Sequence, residues 1–252
     1  MKIDLSGQTI LVTGASRGIG AAIAGRLAQS GAQVAVHYGR NRDAAETFAA
    51  RLGGGARAFG ADLSDPSAGA GLWTKVEQAL GPVNGLVNNA GVAVESPLDA
   101  PLDAWLDGWS RTLAVNLTAP AVLCRAAVAH FVERGGGRII NVASRAAFRG
   151  DQPDYLAYAA SKAGLVALTK SIARGFGKQE VKAFALAPGF TRTDMAQAFI
   201  DRYGEDHAAK DIALPRLTEP DDIGPMAAFL LSGLADHATG ATFDLNAASY
   251  VR

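Results

Sequence analysis

The sequence predicts an α/β fold: one doubly wound, mainly parallel sheet of seven strands with helices on both faces. Three observations lead there. Short β-branched or apolar runs alternate with longer runs of helical pattern along the whole chain. The Gly- and Pro-bearing connectors between them, such as "RLGGGAR", "ALGPVN" and "ERGGGR", are short enough to be turns within one domain. With 252 residues, 49% of them hydrophobic and 19% charged, the chain can bury one full core.

The elements follow in order. "TILVTG", from Thr9, reads as the first strand and "AAIAGRLAQSGA" as the first helix; "QVAVHY" and "RDAAETFAARLG" repeat the pair. Further strands are expected at "ARAFGAD", "NGLVNNAG", "GRIINVAS", "VKAFALAPG" and "ATFDLN". The helical stretch "DAWLDGWSRTLAVNLTAPAVLCRAAVAHFVERG" carries Trp105, Trp109 and a long apolar face, read as core plus subunit interface. The least sheet-like region, about 194–219, lies between a strand and the helix opening at "EPDDI", where a substrate lid would sit within the single 1–252 domain.

Composition excludes several roles. Lys plus Arg and Asp plus Glu both number 24, so no broad basic surface for nucleic acid or anionic lipid is expected, and the partner is a small molecule or another copy of the chain. A first strand so near the start leaves no room for a signal segment, and no apolar run is read as approaching the roughly 20 residues of a membrane span, so the expected location is cytoplasmic. Cys124, the sole cysteine, reads as a small buried hydrophobe. The histidines at 37, 130, 207 and 237 lack ligand spacing, and no metal is expected.

"TGASRGIG" at 13–20 joins the first strand to the first helix. Glycines there let the backbone N–H groups approach a pyrophosphate at the helix N-terminus. The spacing of Gly14, Gly18 and Gly20 differs from the commonest dinucleotide fingerprint. The second strand ends in His37, Tyr38, Gly39 and Arg40, without the carboxylate that would take the ribose hydroxyls of NAD. Arg40 and Arg17 are placed to clamp a 2′-phosphate instead, so NADP(H) is favoured over NAD(H).

In "YAASK", Tyr158 and Lys162 are one helical turn apart and share a face. An ammonium near the phenol is expected to lower its pKa and make Tyr158 a usable acid. Ser144, at the end of a strand, is expected to hydrogen-bond the same carbonyl oxygen.

"TGASRGIG", "DL" at 62, "NNAG" at 88, Asn116 in "VNL", Ser144 in "INVAS", "YAASK" and "PGFTRT" at 188 occur in an order that resembles the short-chain dehydrogenase/reductase family over essentially the whole chain. The resemblance implies a Rossmann-like single domain, a nicotinamide cofactor and a homotetramer, with a dimer as the alternative. It places Gly14, Ser16, Arg17, Gly18, Ile19 and Gly20 along the cofactor's phosphates, with Tyr38 and Arg40 at its adenosine end. Asp62 and Leu63 would flank the adenine, Asn89, Ala90 and Gly91 the ribose and nicotinamide side, and Pro188, Gly189, Thr191 and Thr193 the nicotinamide end. Asn116, Ser144, Tyr158 and Lys162 would be catalytic, Asn116 by holding a water between Lys162 and solvent; Tyr158 and Lys162 would also bind the cofactor, Lys162 at the nicotinamide ribose. Two departures stand out. The Ser144-to-Tyr158 loop is one residue longer than in many members, and Ala247 and Ala248 replace a C-terminal glycine pair, which predicts a differently shaped turn because alanine resists positive φ.

The substrate is read less far. Val94, Glu95, Arg145 to Arg149, Pro153 to Tyr155, Phe190, Met195, Phe199 and Tyr203 are pocket candidates, with Arg145 or Arg149 available to an anionic group. Tyr155 reads as pocket wall or helix start. The nearest likeness is to the 3-oxoacyl-carrier-protein reductase type, which implies reduction of a ketone in a β-keto thioester or related compound. An NAD-linked alcohol dehydrogenase and a non-catalytic nicotinamide-nucleotide sensor are the alternatives.

Overall fold

Seven strands run through the core in the order β3-β2-β1-β4-β5-β6-β7. They are β1 (Thr9–Val12), β2 (Gln33–Tyr38), β3 (Arg57–Gly60), β4 (Gly85–Asn88), β5 (Gly137–Val142), β6 (Val181–Pro188) and β7 (Thr242–Leu245). The structure, a computed structural model, describes residues 3–205 and 209–251, with the side chains at 195, 198, 199, 202 and 203 outside the description. Every pairing between neighbouring strands is parallel. The strand order reverses between β1 and β4, so the loops leaving these two strands open a crevice at their carboxyl ends.

Alternation along the strands divides the core into two layers. Ile10 and Val12 of β1 face a cluster with Ile23 and Leu27 of α1 (Gly18–Gln29) and Ala45 and Ala49 of α2 (Arg42–Leu52). Leu11 faces the other layer, formed by Leu72 and Trp73 of α3 (Pro66–Leu80) and residues of two later helices. Those helices are α5 (Ala119–Glu133) and α7 (Leu156–Phe176); α4 (Leu102–Leu113) precedes α5, and a short α6 (Ala146–Arg149) precedes α7. Leu123 and Phe131 of α5 and Ile172 of α7 complete the layer.

A π turn, Ala114–Thr118, joins α4 to α5, so Leu102–Glu133 is one helical run that contains an 18-residue stretch with a mean hydropathy of 1.5. By length and composition it could cross a membrane, contrary to the expectation that no run reaches that length. Asp103, Asp107 and Arg111 fall in its first three turns, and the remainder is mostly apolar, with Arg125 and Glu133 as its charged residues. In this fold Ala119, Leu123, Ala127 and Phe131 are spent on the core.

The insertion after β6 contains α8 (Asp194–Tyr203) and precedes α9 (Gly224–Leu231). Ile200 and Leu217 form a small separate core with Phe190, Ala209 and Ile212. A bridge between Thr191 and Thr218 closes its base, where Arg192 pairs with Glu205 and Glu219.

The C-terminal turn corrects one expectation. Ala247 and Ala248 do adopt the left-handed conformation, at φ 51 and 57. Contacts hold them there: the Ala213 N–H donates to the Ala247 carbonyl at 2.8 Å, and the Asn246 amide donates to the Tyr250 carbonyl at 3.0 Å.

Candidate active site

The glycine loop sits in the crevice between β1 and β4. Gly14 (φ 61) and Gly18 (φ 54) need the left-handed region, and a Cβ on Gly20 would lie 2.3 Å from the Gly14 carbonyl oxygen. The N-terminus of α1 has no side-chain cap and no acidic residue in its first turn, which leaves its N–H groups to an anion. This uncapped, glycine-rich cradle fits the pyrophosphate of a dinucleotide. Ser16 is half-buried beside it, Arg17 is exposed, and Ile19 packs against the core.

Two residues brace the loop in ways the sequence reading missed. The Gly14 N–H donates to His37 Nδ1 at 3.0 Å, while His37 Nε2 lies 3.0 Å from the Ala61 carbonyl. Only a neutral ring with its proton on Nε2 satisfies both contacts. Burial pushes the His37 pKa down, against the smaller opposing effect of the Ala61 carbonyl. Thr13 Oγ1 accepts from the N–H groups of Asn89 and Ala90 at 2.9 and 3.0 Å. A histidine ending an apolar strand gives no spacing signal, since both of its partners lie far along the chain.

Asn89 does more than line the crevice. Its side-chain amide donates to the Thr13 and Gly14 carbonyls at 2.9 and 3.2 Å, so it ties β4 to the glycine loop. Tyr38 lies across Gly60, where a Cβ would come 2.9 Å from the ring. Arg40 is exposed, and Asp62 is held below the usual carboxylate range by the Ser64 backbone and hydroxyl, with Arg40 and Arg111 adding to the effect. Leu63 is 5% exposed and joins the core with Phe59 and Leu72; at an adenine site its side chain is a floor rather than a flank. Arg17 pairs with Asp194 at 2.9 Å, both side chains well exposed.

The four expected catalytic residues come from three segments. Asn116 turns inward from the π turn and is fully buried. Its Oδ1 accepts from the Val92 N–H and its Nδ2 donates to the Val92 carbonyl, both at 2.8 Å; Nδ2 also donates to Ser161 Oγ at 3.1 Å. Lys162 on α7 donates to the Val142 carbonyl at the end of β5, at 2.8 Å. Gly91 lies over both: a Cβ there would come 3.3 Å from Asn116 Oδ1 and 3.4 Å from Lys162 Nζ. Lys162 Nζ is 5.7 Å from the centre of the Tyr158 ring, and the Ser144 hydroxyl hydrogen-bonds the Tyr158 phenol.

The electrostatics correct the expected role of the lysine. Burial dominates at Tyr158 and pushes its pKa above 10; the Ser144 hydroxyl pulls it back and Asp151 pushes it up further. The Tyr158 side chain is half-buried. The same burial lowers the Lys162 pKa to about 8, which leaves it mostly charged at neutral pH. Tyr158 is therefore a phenol kept protonated, with an ammonium beside it once the proton has left.

Below these residues, Asn88 Nδ2 donates to Asn141 Oδ1 at 2.8 Å, and Asn141 Nδ2 to Thr169 Oγ1 at 2.9 Å. This buried network ties β4, β5 and α7 together under the site. Cys124 joins it through Asn88, and burial raises its pKa to about 12.

Pro188 and Gly189 lie against the C-terminal turn, where a Cβ on Gly189 would reach 2.7 Å from Asn246 Cα. The Thr191 hydroxyl donates to the Gly189 carbonyl at 3.2 Å, so it has only acceptor capacity left for a ligand. Thr193 caps α8 by accepting from the Ala196 N–H, which leaves its own proton to donate. Among the pocket candidates, the Tyr155 hydroxyl donates to Glu95 at 2.8 Å, and burial followed by Glu95 raises the Tyr155 pKa to about 12. Val94 is half-buried, and Phe190 belongs to the small core of the insertion. The Met195, Phe199 and Tyr203 side chains lie outside the described residues.

Comparison with known proteins extends over the whole site. A family model described as Enoyl-(Acyl carrier protein) reductase matches residues 14–247. The chain is 38% identical over 241 residues to a D-threitol dehydrogenase of Mycolicibacterium smegmatis, covering 94% of this chain and 90% of that protein. It is 34% identical over 251 residues to a 3-oxoacyl-(acyl-carrier-protein) reductase of Vibrio cholerae, covering 99% and 100%. Among solved structures, a blue fluorescent protein from a metagenomic library, in complex with NADPH, superimposes with a TM-score of 0.90 at 37% identity, over 98% of this chain and 100% of that one. With its sheet order, glycine cradle and Ser144, Tyr158 and Lys162 grouping, the chain belongs to the short-chain dehydrogenase/reductase superfamily as an NAD(P)-dependent oxidoreductase.

Proposed function

We propose that the protein is an NADPH-dependent carbonyl reductase that converts a ketone to a secondary alcohol with Tyr158 as proton donor. The observation that carries this reading is the protonated Tyr158 phenol held between the Ser144 hydroxyl and the Lys162 ammonium. An acid must hold its proton until the carbonyl oxygen gains charge, and burial supplies that condition. Ser144 orients the oxygen. Once the proton is given up, Lys162 stabilises the phenolate across a short, poorly solvated distance. Asn116 fixes the Val92 backbone and Ser161, whose hydroxyl donates to the Tyr158 carbonyl at 2.7 Å, and so positions the segment that carries the acid.

When bound, the reduced nicotinamide supplies the hydride that reaches the carbonyl carbon. Gly14, Ser16, Gly18, Ile19 and Gly20 would hold its phosphates, Tyr38, Asp62 and Leu63 its adenosine, and Asn89, Ala90, Gly91 and Lys162 its ribose side. Pro188, Gly189, Thr191 and Thr193 would hold the carboxamide end, with Thr193 donating and Thr191 accepting. Arg40 and Arg17 favour NADP(H): no carboxylate ends β2, and the exposed Arg17–Asp194 pair is weak enough for a 2′-phosphate to displace. The NADPH bound by the similar solved protein supports the same choice.

The substrate belongs to the small carbonyl or alcohol compounds, with a 3-oxoacyl thioester or related β-keto compound as the leading type, in line with the similarity to the Vibrio cholerae reductase. Residues 194–219 are assigned as a substrate lid, supported by their place after β6 and their separate small core. Exposed Leu98, Leu102, Leu106 and Leu156 support a homotetramer. The test is NADPH and NADH consumption with β-ketoesters, acyl-thioester analogues, diketones and cyclic ketones. Preferential NADPH consumption with any of them is expected. Turnover confined to alcohols with NAD+ would transfer the assignment to an oxidative dehydrogenase, and cofactor binding without any turnover would favour a nucleotide sensor.

A further inference from the structure

Glu95, Arg145 and Arg149 are charged residues among the pocket candidates. Two already have partners, since Glu95 accepts from the Tyr155 hydroxyl at 2.8 Å and Arg149 pairs with Asp211 at 3.3 Å. Arg145 differs. Among the described residues its guanidinium makes no hydrogen bond or ion pair, and its Nη1 is buried without a partner.

The position of Arg145 is fixed by its backbone. Its N–H donates to the Pro188 carbonyl at 3.0 Å, and its carbonyl accepts from the Phe148 and Arg149 N–H groups, both at 3.1 Å. It is the residue next to Ser144, whose hydroxyl hydrogen-bonds Tyr158. Burial, and then the like charge of Arg149, lower the Arg145 pKa, whereas Asp211 and Asp151 raise it. A guanidinium has five donors in a rigid fork, and leaving them unmatched in a partly buried site is unfavourable. Such a group has the form of a half-built anion site.

We propose that Arg145 binds a carboxylate of the substrate, so that the protein acts on oxo acids and hydroxy acids in preference to their neutral analogues. This rests on the assignment of Ser144 and Tyr158 to the carbonyl end of the same substrate. The surrounding charges favour a carboxylate. Arg149 is paired with Asp211, and Asp151 also acts on Arg145, so a singly charged carboxylate meets less repulsion there than a phosphate dianion would. A planar carboxylate also matches the guanidinium fork through two parallel bonds.

The experiment compares acetoacetate and levulinate, each against its methyl ester, in wild type, Arg145→Gln and Arg145→Lys. NADPH consumption gives kcat and KM. Calorimetry with the NADP+-loaded proteins gives binding of the same compounds, which cannot turn over with the oxidised cofactor. In the wild type at least one acid is expected to exceed its ester about tenfold in kcat/KM, mainly through KM, and to bind correspondingly more tightly. Arg145→Gln should bring both ratios near one, and Arg145→Lys should restore part of them. Equal binding of acid and ester to the wild type, or an acid preference that survives in Arg145→Gln, overturns the proposal. An acid preference in binding that Arg145→Gln abolishes, without turnover of any compound, sinks the reductase assignment and leaves the carboxylate site standing.

Discussion

Replacing Ala247 and Ala248 by glycine should stabilise the protein, the reverse of the usual effect of Ala→Gly. At φ 51 and 57 each alanine bears the left-handed penalty of about 1–2 kcal/mol. Glycine removes it and returns about 0.4–1 kcal/mol through the freer unfolded chain, for a net gain of roughly 0.5–1 kcal/mol per site. The two residues share one turn, so their gains need not add. For a chain of this size about 1 kcal/mol raises Tm by about 2–4 °C. The assay is thermal unfolding followed by circular dichroism at fixed protein concentration, with Ala70→Gly on the exposed side of α3 as reference. That reference should lose about 1 kcal/mol. A double glycine variant that melts lower than wild type, as Ala70→Gly does, would refute the strain argument. The strain has a place in the site: the same turn backs Gly189 and anchors Ala213 of the insertion.

Three further outcomes are expected. His37 has its folded pKa depressed below 6.5, so the stability it confers is complete above that value and is lost as pH falls from there through the folded value, with a slope of at most about 1.4 kcal/mol per pH unit. Urea unfolding between about pH 7 and pH 5 should show this slope in wild type and not in His37→Gln; the same slope in both assigns it to other groups. Arg40→Ser should lower the ratio of NADPH to NADH kcat/KM by about tenfold, and an unchanged ratio would remove Arg40 from the 2′-phosphate site. In Gly20→Ala the new Cβ, 2.3 Å from the Gly14 carbonyl oxygen, should push the loop open. Fluorescence titration should then show NADPH affinity falling by about a hundredfold or more, against an unchanged affinity if the loop does not hold the phosphates.

The strands were legible because this sheet is covered on both faces, so each central strand is a short apolar run bounded by turn residues. Gly14 and Gly20 were legible for a similar reason, since a close approach of backbones tolerates no other residue. The electrostatics were less legible. The four-residue spacing of Tyr158 and Lys162 shows that they share a helix face, but not how much protein encloses the face, and enclosure decides the direction of the phenol's shift. His37 was passed over because its partners, Gly14 and Ala61, meet it only across three parallel strands. The Ala247–Ala248 turn was misjudged because local φ preference is outweighed there by hydrogen bonds from elsewhere in the chain.

Comparison of wild type with Tyr158→Phe, in NADPH consumption and NADPH binding on the same preparations, tests the central claim most directly. The account predicts that a ketone reduced by the wild type loses turnover by at least about a thousandfold in the variant while NADPH affinity stays within about twofold, because the phenol's proton serves the carbonyl and not the cofactor. Retained turnover in Tyr158→Phe would contradict the account and place the proton donor elsewhere.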